Sequence, residues 1–213
     1  MKKLEIPCSY QGGKQRLAKQ IVDIMLSDNE KRVGNTAGTQ FYDICCGSGS
    51  VSIEMMNRGM KRENIHMVDL SPWGMFWKKI GEETFDIHLF KDFIDTIPRD
   101  ITNIKQYALD ILSKPVNLDV MIYHFLFLQS CAFGSTATWI EDDKWKKAGG
   151  LRDYWLPTES SNRRSPVNPM MPMPDSLYNR VRLLCEEGKG INGYCMEVFD
   201  FVYVLDEEWD EKK

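Results

Sequence analysis

The sequence predicts a mixed α/β fold built on part of a doubly wound parallel sheet, interrupted by a largely helical and loop-rich insertion. Three observations carry this. A strand, glycine turn and helix follow one another in Phe41 to Asn57. A second strand ends in an acid at Asp69, about twenty residues beyond that turn, as in nucleotide-binding βαβ units. Between them and a third strand near Gly193 lies a stretch of about a hundred residues with helical periods and proline punctuation.

The bulk properties are compatible with this. At 213 residues the chain fits one medium domain, or a core domain carrying an insertion. With 43% apolar residues there is material for a packed core. The apolar run Met121 to Leu128 is far too short to span a bilayer, and the first residues lack the apolar core of a secretion signal. A cytoplasmic protein without membrane contact is expected. The six cysteines form no Cys-x-x-Cys pair and no His stands at ligand spacing, so reduced thiols are expected and no metal site. A net charge of −4 requires any nucleic-acid surface to be local.

Along the chain, Ser9-Tyr-Gln-Gly-Gly-Lys14 leads into a helix with Leu17, Ile21, Ile24 and Met25 on one face. A Gly-Gly turn before a helix exposes backbone N–H groups to a carboxylate or phosphate; a plain turn with a solvated lysine is the alternative. Residues 29–40 read as a loop. Phe41 to Ile44 reads as a short buried strand, Cys45 to Ser50 as a tight turn and Val51 to Asn57 as the opening of a helix. The Gly47-x-Gly49 pattern lacks the third glycine of the dinucleotide fingerprint, because position 52 is Ser52. That argues against a pyrophosphate ligand. Asn64 to Leu70 reads as the second strand, with Asp69 on a ribose, or else a surface acid at the strand end or a cap for a helix from Ser71.

Residues 74–130 read as helices bounded at Pro98 and Pro115, with Trp73, Phe76 and Trp77 as core. Residues 134–174 show no clear period. Lys144, Lys146, Lys147, Arg152, Arg163 and Arg164 are interleaved there with Trp139, Trp145, Tyr154 and Trp155. Two readings stand side by side: phosphate contacts with base stacking, or a proline-rich wrap with a solvated basic face. Asp175 to Glu187 returns to helical spacing, Gly193 to Val198 reads as a third strand, and the acidic tail from Asp206 is expected to fray.

Together these segments resemble the Dam-type DNA adenine-N6 methyltransferases of bacteria and phages. Tyr10-x-Gly12-Gly13-Lys14 resembles their N-terminal S-adenosylmethionine motif, and Phe41-Tyr-Asp43-x-x-Cys46-Gly47-x-Gly49-x-Val51 their glycine loop. Val68-Asp69-Leu70 is similar to the acidic strand end that follows.

The resemblance implies a partial Rossmann-like class I methyltransferase sheet with a target-recognition insertion. Residues 1–84 would be the first part of the cofactor-binding core, 85–187 the insertion, and 188–213 the return to the sheet. It implies S-adenosylmethionine as cofactor, held by Tyr10, Gly12, Gly13 and Lys14 at its methionine end. Asp43, Cys45, Gly47, Ser48, Gly49, Ser50 and Val51 would line the cleft, with Asp69 and Leu70 at the ribose and Val198 near the adenine. Double-stranded DNA would meet the basic residues named above, with Phe127 to Gly134 among the contacting loops.

The family's Asp-Pro-Pro-Tyr, which holds the flipped adenine, is absent from the sequence. No catalytic residue is therefore assigned. A methyltransferase completed by a missing segment or a second polypeptide is the leading expectation. A non-catalytic cofactor- or DNA-binding regulator or decoy is the alternative, and a small-molecule methyltransferase ranks third.

Overall fold

The computed structural model describes residues 2–34, 38–151 and 173–210. Its elements in chain order begin with α1 (Ala18–Val33), β1 (Phe41–Asp43), α2 (Ser50–Asn57), β2 (Ile65–Val68) and α3 (Pro72–Gly81). Next come α4 (Ile87–Thr96), α5 (Ile101–Ser113) and α6 (Met121–Cys131), then β3 (Thr138–Glu141) and β4 (Lys144–Lys147). The chain closes with α7 (Pro174–Glu187), β5 (Asn192–Tyr194) and α8 (Val198–Asp210). Two compact units result. One comprises Met1–Glu5, Gly13–Phe85 and Leu184–Lys213, the other Ile6–Gly12 and Asp86–Leu183.

The first unit is mixed α/β around a three-stranded parallel sheet in the order β1-β2-β5. Phe41 pairs with Ile65, and Met67 with Gly193. Ile65, Met67 and Val68 are buried, as are Trp73, Phe76, Trp77 and Ile80 of α3. Ser71 caps α3 by accepting the Trp73 N–H, and Pro72 occupies the first turn, where its missing N–H costs nothing. α3 reaches the sheet through glycines: a Cβ on Gly74 would lie 2.0 Å from the Asp69 carbonyl oxygen, and one on Gly193 2.2 Å from the Lys78 nitrogen. Across the strands Tyr42 stacks on His66 at 4.5 Å, and Phe201 of α8 packs on Tyr194 at 4.8 Å. Arg62 pins two helix ends, donating to the Met56 carbonyl in the last turn of α2, to the Met60 carbonyl beyond it and to the Glu187 carbonyl at the end of α7.

Several expectations are corrected here. β1 stops at Asp43, and Ile44 is 45% exposed, because the chain leaves the sheet to begin the glycine turn. The third strand ends at Tyr194. Val198 instead opens α8, and the acidic tail is helical through Asp210. The apolar side of α1 is Ala18 and Val22, whereas Leu17, Ile24 and Met25 are exposed. α1 lies against α2, and its small residues permit that approach; hydrophobic periodicity alone did not show which side was buried.

The second unit is built around α6, whose side chains from Met121 to Cys131 are all buried except that of His124. A helix apolar all round belongs at the centre of a bundle. Phe90 and Ile94 of α4 and Ile104, Ala108 and Ile111 of α5 are buried in this unit as well. Asp86 and Asp100 cap α4 and α5, accepting N–H groups of His88, Leu89 and Asn103. Phe127 to Ala132 are therefore core rather than part of a contacting loop; Phe133 and Gly134 are exposed.

The basic segment holds an antiparallel hairpin, β3–β4, that its sequence did not announce. Ile140 pairs with Trp145, and Asp142 and Asp143 turn the chain with φ of 50° and 56°. Such tight hairpin turns need positive φ twice. Asp tolerates it, although glycine or asparagine is the usual signal, and β4 (Lys-Trp-Lys-Lys) shows no apolar alternation. Among the described residues no helix is long and apolar enough to cross a membrane.

Candidate functional site

The C-terminal ends of β1 and β2 carry the glycine loop. The pairing of these strands continues past β1, with the Cys46 N–H donating to the Val68 carbonyl at 3.0 Å. The loop then tightens through Gly49 N–H to the Cys46 carbonyl at 2.8 Å. Gly49 has φ 76° and ψ 26° and stands before α2 with no side-chain cap. It must be glycine twice over. Its φ is left-handed, and a Cβ would lie 2.4 Å from Cζ2 of Trp77.

Two carboxylates frame the loop. Asp43 accepts the Ser52 hydroxyl at 2.7 Å and a backbone hydrogen bond from Ser52, tying the end of β1 to the first turn of α2. Burial raises the Asp43 carboxyl above its usual value, against the Ser52 hydrogen bonds; Asp69 adds to the rise and Lys14 opposes it. Asp69 accepts the Gly47 N–H on Oδ2 at 2.7 Å, and the N–H and hydroxyl of Ser71 on Oδ1. A carboxylate offers about four acceptor positions, so three are engaged by the protein itself. Burial, then Asp43 and Asp69, push the Cys46 thiol well above its usual range. It is a filler of the turn, not a nucleophile.

The hydroxyls of Ser48 and Ser50 are buried on either side of Gly49 and make no hydrogen bond with the protein. Buried hydroxyls without partners are uncommon enough to require a reason. The first N–H groups of α2 carry the positive end of its dipole at the same place.

The structure thus brings together Asp43, Cys45, Gly47, Ser48, Gly49, Ser50, Val51, Asp69 and Leu70. Cys45 and Leu70 are exposed at the loop, and Val51 is half-buried. Gly13 and Lys14 belong to the same unit, whereas Tyr10 and Gly12 belong to the other. Val198 lies in the first unit, at the start of a helix. Lys144, Lys146 and Lys147 lie on β4, while Arg152, Arg163 and Arg164 lie outside the described residues.

Three loop-forming residues were not singled out from the sequence. Ser52 and Ser71 bind the two carboxylates, and Asp-x-Ser before proline is a cap signal that could have located Ser71. Trp77, read only as core, donates its indole N–H to the Gly47 carbonyl at 2.8 Å. Compared with protein-family models and with curated protein sequences, the chain matches none.

Proposed function

We propose that this chain binds S-adenosylmethionine at the glycine loop of a Rossmann-like class I methyltransferase core and serves DNA adenine-N6 methylation in the cytoplasm. The observation that carries the reading is the loop itself. It follows a strand of a parallel sheet, it is framed by Asp43 and Asp69, and it opens a helix beside two buried, unpartnered serine hydroxyls. This donor and acceptor set fits a zwitterionic amino-acid group and a ribose. The α2 N–H groups and serines face the need of a carboxylate, and the acceptor position left on Asp69 that of one ribose hydroxyl. When bound, the cofactor supplies an electrophilic methyl group. Lys14 and the glycine backbone would meet its methionine end.

DNA would be met by the β3–β4 hairpin, where Lys144 and Lys146 are exposed, and by Arg152, Arg163 and Arg164. No adenine-holding Asp-Pro-Pro-Tyr occurs in these 213 residues. Among the described residues β1 is paired on one side only, and an open edge accepts a further strand. A polypeptide bringing that motif on a strand beside β1 would complete the site. The same absence favours, as second reading, a regulator that binds cofactor or DNA without transfer.

Titration calorimetry with S-adenosylmethionine tests the cofactor reading directly, and saturable binding lost in Asp69→Ala supports it. No heat of binding from the folded chain would sink it. Transfer of labelled methyl to unmethylated DNA by the chain alone would instead remove the need for a partner.

A further inference from the structure

We propose that Trp77 is a positioning residue of the glycine loop, holding Gly47 and Gly49 in the shape that the ligand meets. The inference rests on the cofactor reading for its consequence but on geometry for its premise. The indole is fully buried, and its N–H, which requires an acceptor in the interior, is given to the loop carbonyl of Gly47 at 2.8 Å. The N–H of that same residue is held by Asp69 at 2.7 Å. Gly47, with φ 49°, is thus gripped at both of its hydrogen-bonding groups by side chains from outside the loop.

Two residues on, the ring lies where a Gly49 Cβ would be, 2.4 Å from Cζ2 and 2.9 Å from Cε2. One side chain therefore touches both glycines of the motif, by a hydrogen bond at the first and by van der Waals contact at the second.

Trp77 is itself immobilised. Phe76 meets it edge-on at 4.8 Å. The helix that carries it is seated on the sheet by Gly74, Gly81 and Gly193, at each of which a Cβ would come within 2.2 Å of a backbone atom. The glycine seam sets the position of α3, α3 sets the indole, and the indole sets the loop. A tryptophan serving only as core filler would find its acceptor elsewhere in the core and would leave the loop shape to its own sequence.

The test uses the full chain and its Trp77→Phe variant, which keeps an aromatic ring but removes the N–H. Amide hydrogen exchange of Cys46, Gly47 and Gly49 is expected to quicken about tenfold or more in the variant, while the α3 amides stay as they were. S-adenosylmethionine affinity measured in parallel is expected to fall by about fivefold or more. In the unsubstituted chain the Trp77 indole N–H, assigned through its proximity to Gly49, is expected to exchange slowly and to shift on cofactor addition. This keeps the proposal open to refutation if the variant does not fold. Unchanged loop exchange in a folded variant, or a fast-exchanging indole in the parent, overturns it. Faster loop exchange in a chain that binds no cofactor would uphold the positioning role and reject the cofactor reading instead.

Discussion

The Asp69 carboxylate accepts the backbone N–H of Gly47 across 22 residues of sequence, at 2.7 Å, and so closes the glycine loop against the second strand. Its other oxygen serves Ser71 at the start of α3. Asp69→Ala removes both supports together with the acceptor proposed for the ribose. Cofactor affinity is expected to fall more than about tenfold, or 1.4 kcal/mol, and stability by about 1.5–3 kcal/mol, as for hydrogen bonds to a charged acceptor. Ser71→Ala is the control, expected to cost about 1 kcal/mol of stability as a lost helix cap while sparing affinity. Equal loss of affinity in both variants would mean that Asp69 acts through the α3 cap rather than at the loop.

Asp43 makes stability depend on pH in the less common direction. Burial raises its folded pKa above 3.8, so between that value and the raised one the folded chain binds more protons than the unfolded chain. Stability from this group therefore falls as pH rises through that window and stays reduced above it. Asp43→Asn removes the titration and retains an acceptor for Ser52. Urea unfolding of both proteins from pH 4 upward should show the variant gaining on the parent and then holding a constant lead. A difference that is flat with pH, or that shrinks as pH rises, would contradict a buried, proton-retaining Asp43.

How much of this could be read in the sequence depends on where the physics is local. The strand, glycine turn and helix at Phe41 to Asn57 are written in short-range terms, by left-handed glycines between an apolar strand and a helix start. Pro98 and Pro115 bounded helices for the same reason. What escaped depends on partners distant in the chain. Trp77 looks like any buried aromatic until its indole is seen on Gly47, 30 residues away. The exposed side of α1, with Ile24 at 70% exposure, is as apolar in sequence as its buried side. The β3–β4 hairpin hid behind lysines, since a strand whose only apolar residue is Trp145 offers no alternation to read.

The close seating of α3 predicts a sharp contrast among glycine substitutions. Gly193→Ala would place a Cβ 2.2 Å from the Lys78 nitrogen and 2.4 Å from the Trp77 carbonyl carbon, backbone atoms that cannot yield locally. A loss of about 3 kcal/mol or more is expected, at or beyond the upper end of overpacking costs. Gly59 has φ 83° but open space around its missing Cβ. Gly59→Ala should therefore cost only the left-handed strain, about 1–2 kcal/mol. Chemical denaturation of the two variants tests the ordering. Equal losses would show that the helix can shift, and that the seam does not fix α3 in place.

The hairpin lysines divide by strand alternation, and the DNA reading must divide with them. Lys144 and Lys146 are exposed, on one side of β4, with Lys146 only loosely paired to Glu141 at 3.7 Å. Lys147 follows Trp145 on the other side, where partial burial lowers its pKa. Each phosphate contact contributes about 0.9 to the slope of log affinity against log salt. The double variant Lys144→Ala, Lys146→Ala is therefore expected to reduce that slope by about 1–2 for a nonspecific DNA duplex. Lys147→Ala should alter stability more than slope. Arg163→Ala with Arg164→Ala provides the companion measurement for the remaining basic residues. If the hairpin variant keeps the parent slope, its lysines are a solvated face and any phosphate contacts lie elsewhere. If Lys147→Ala flattens the slope instead, the opposite side of the hairpin meets DNA, and the alternation argument fails.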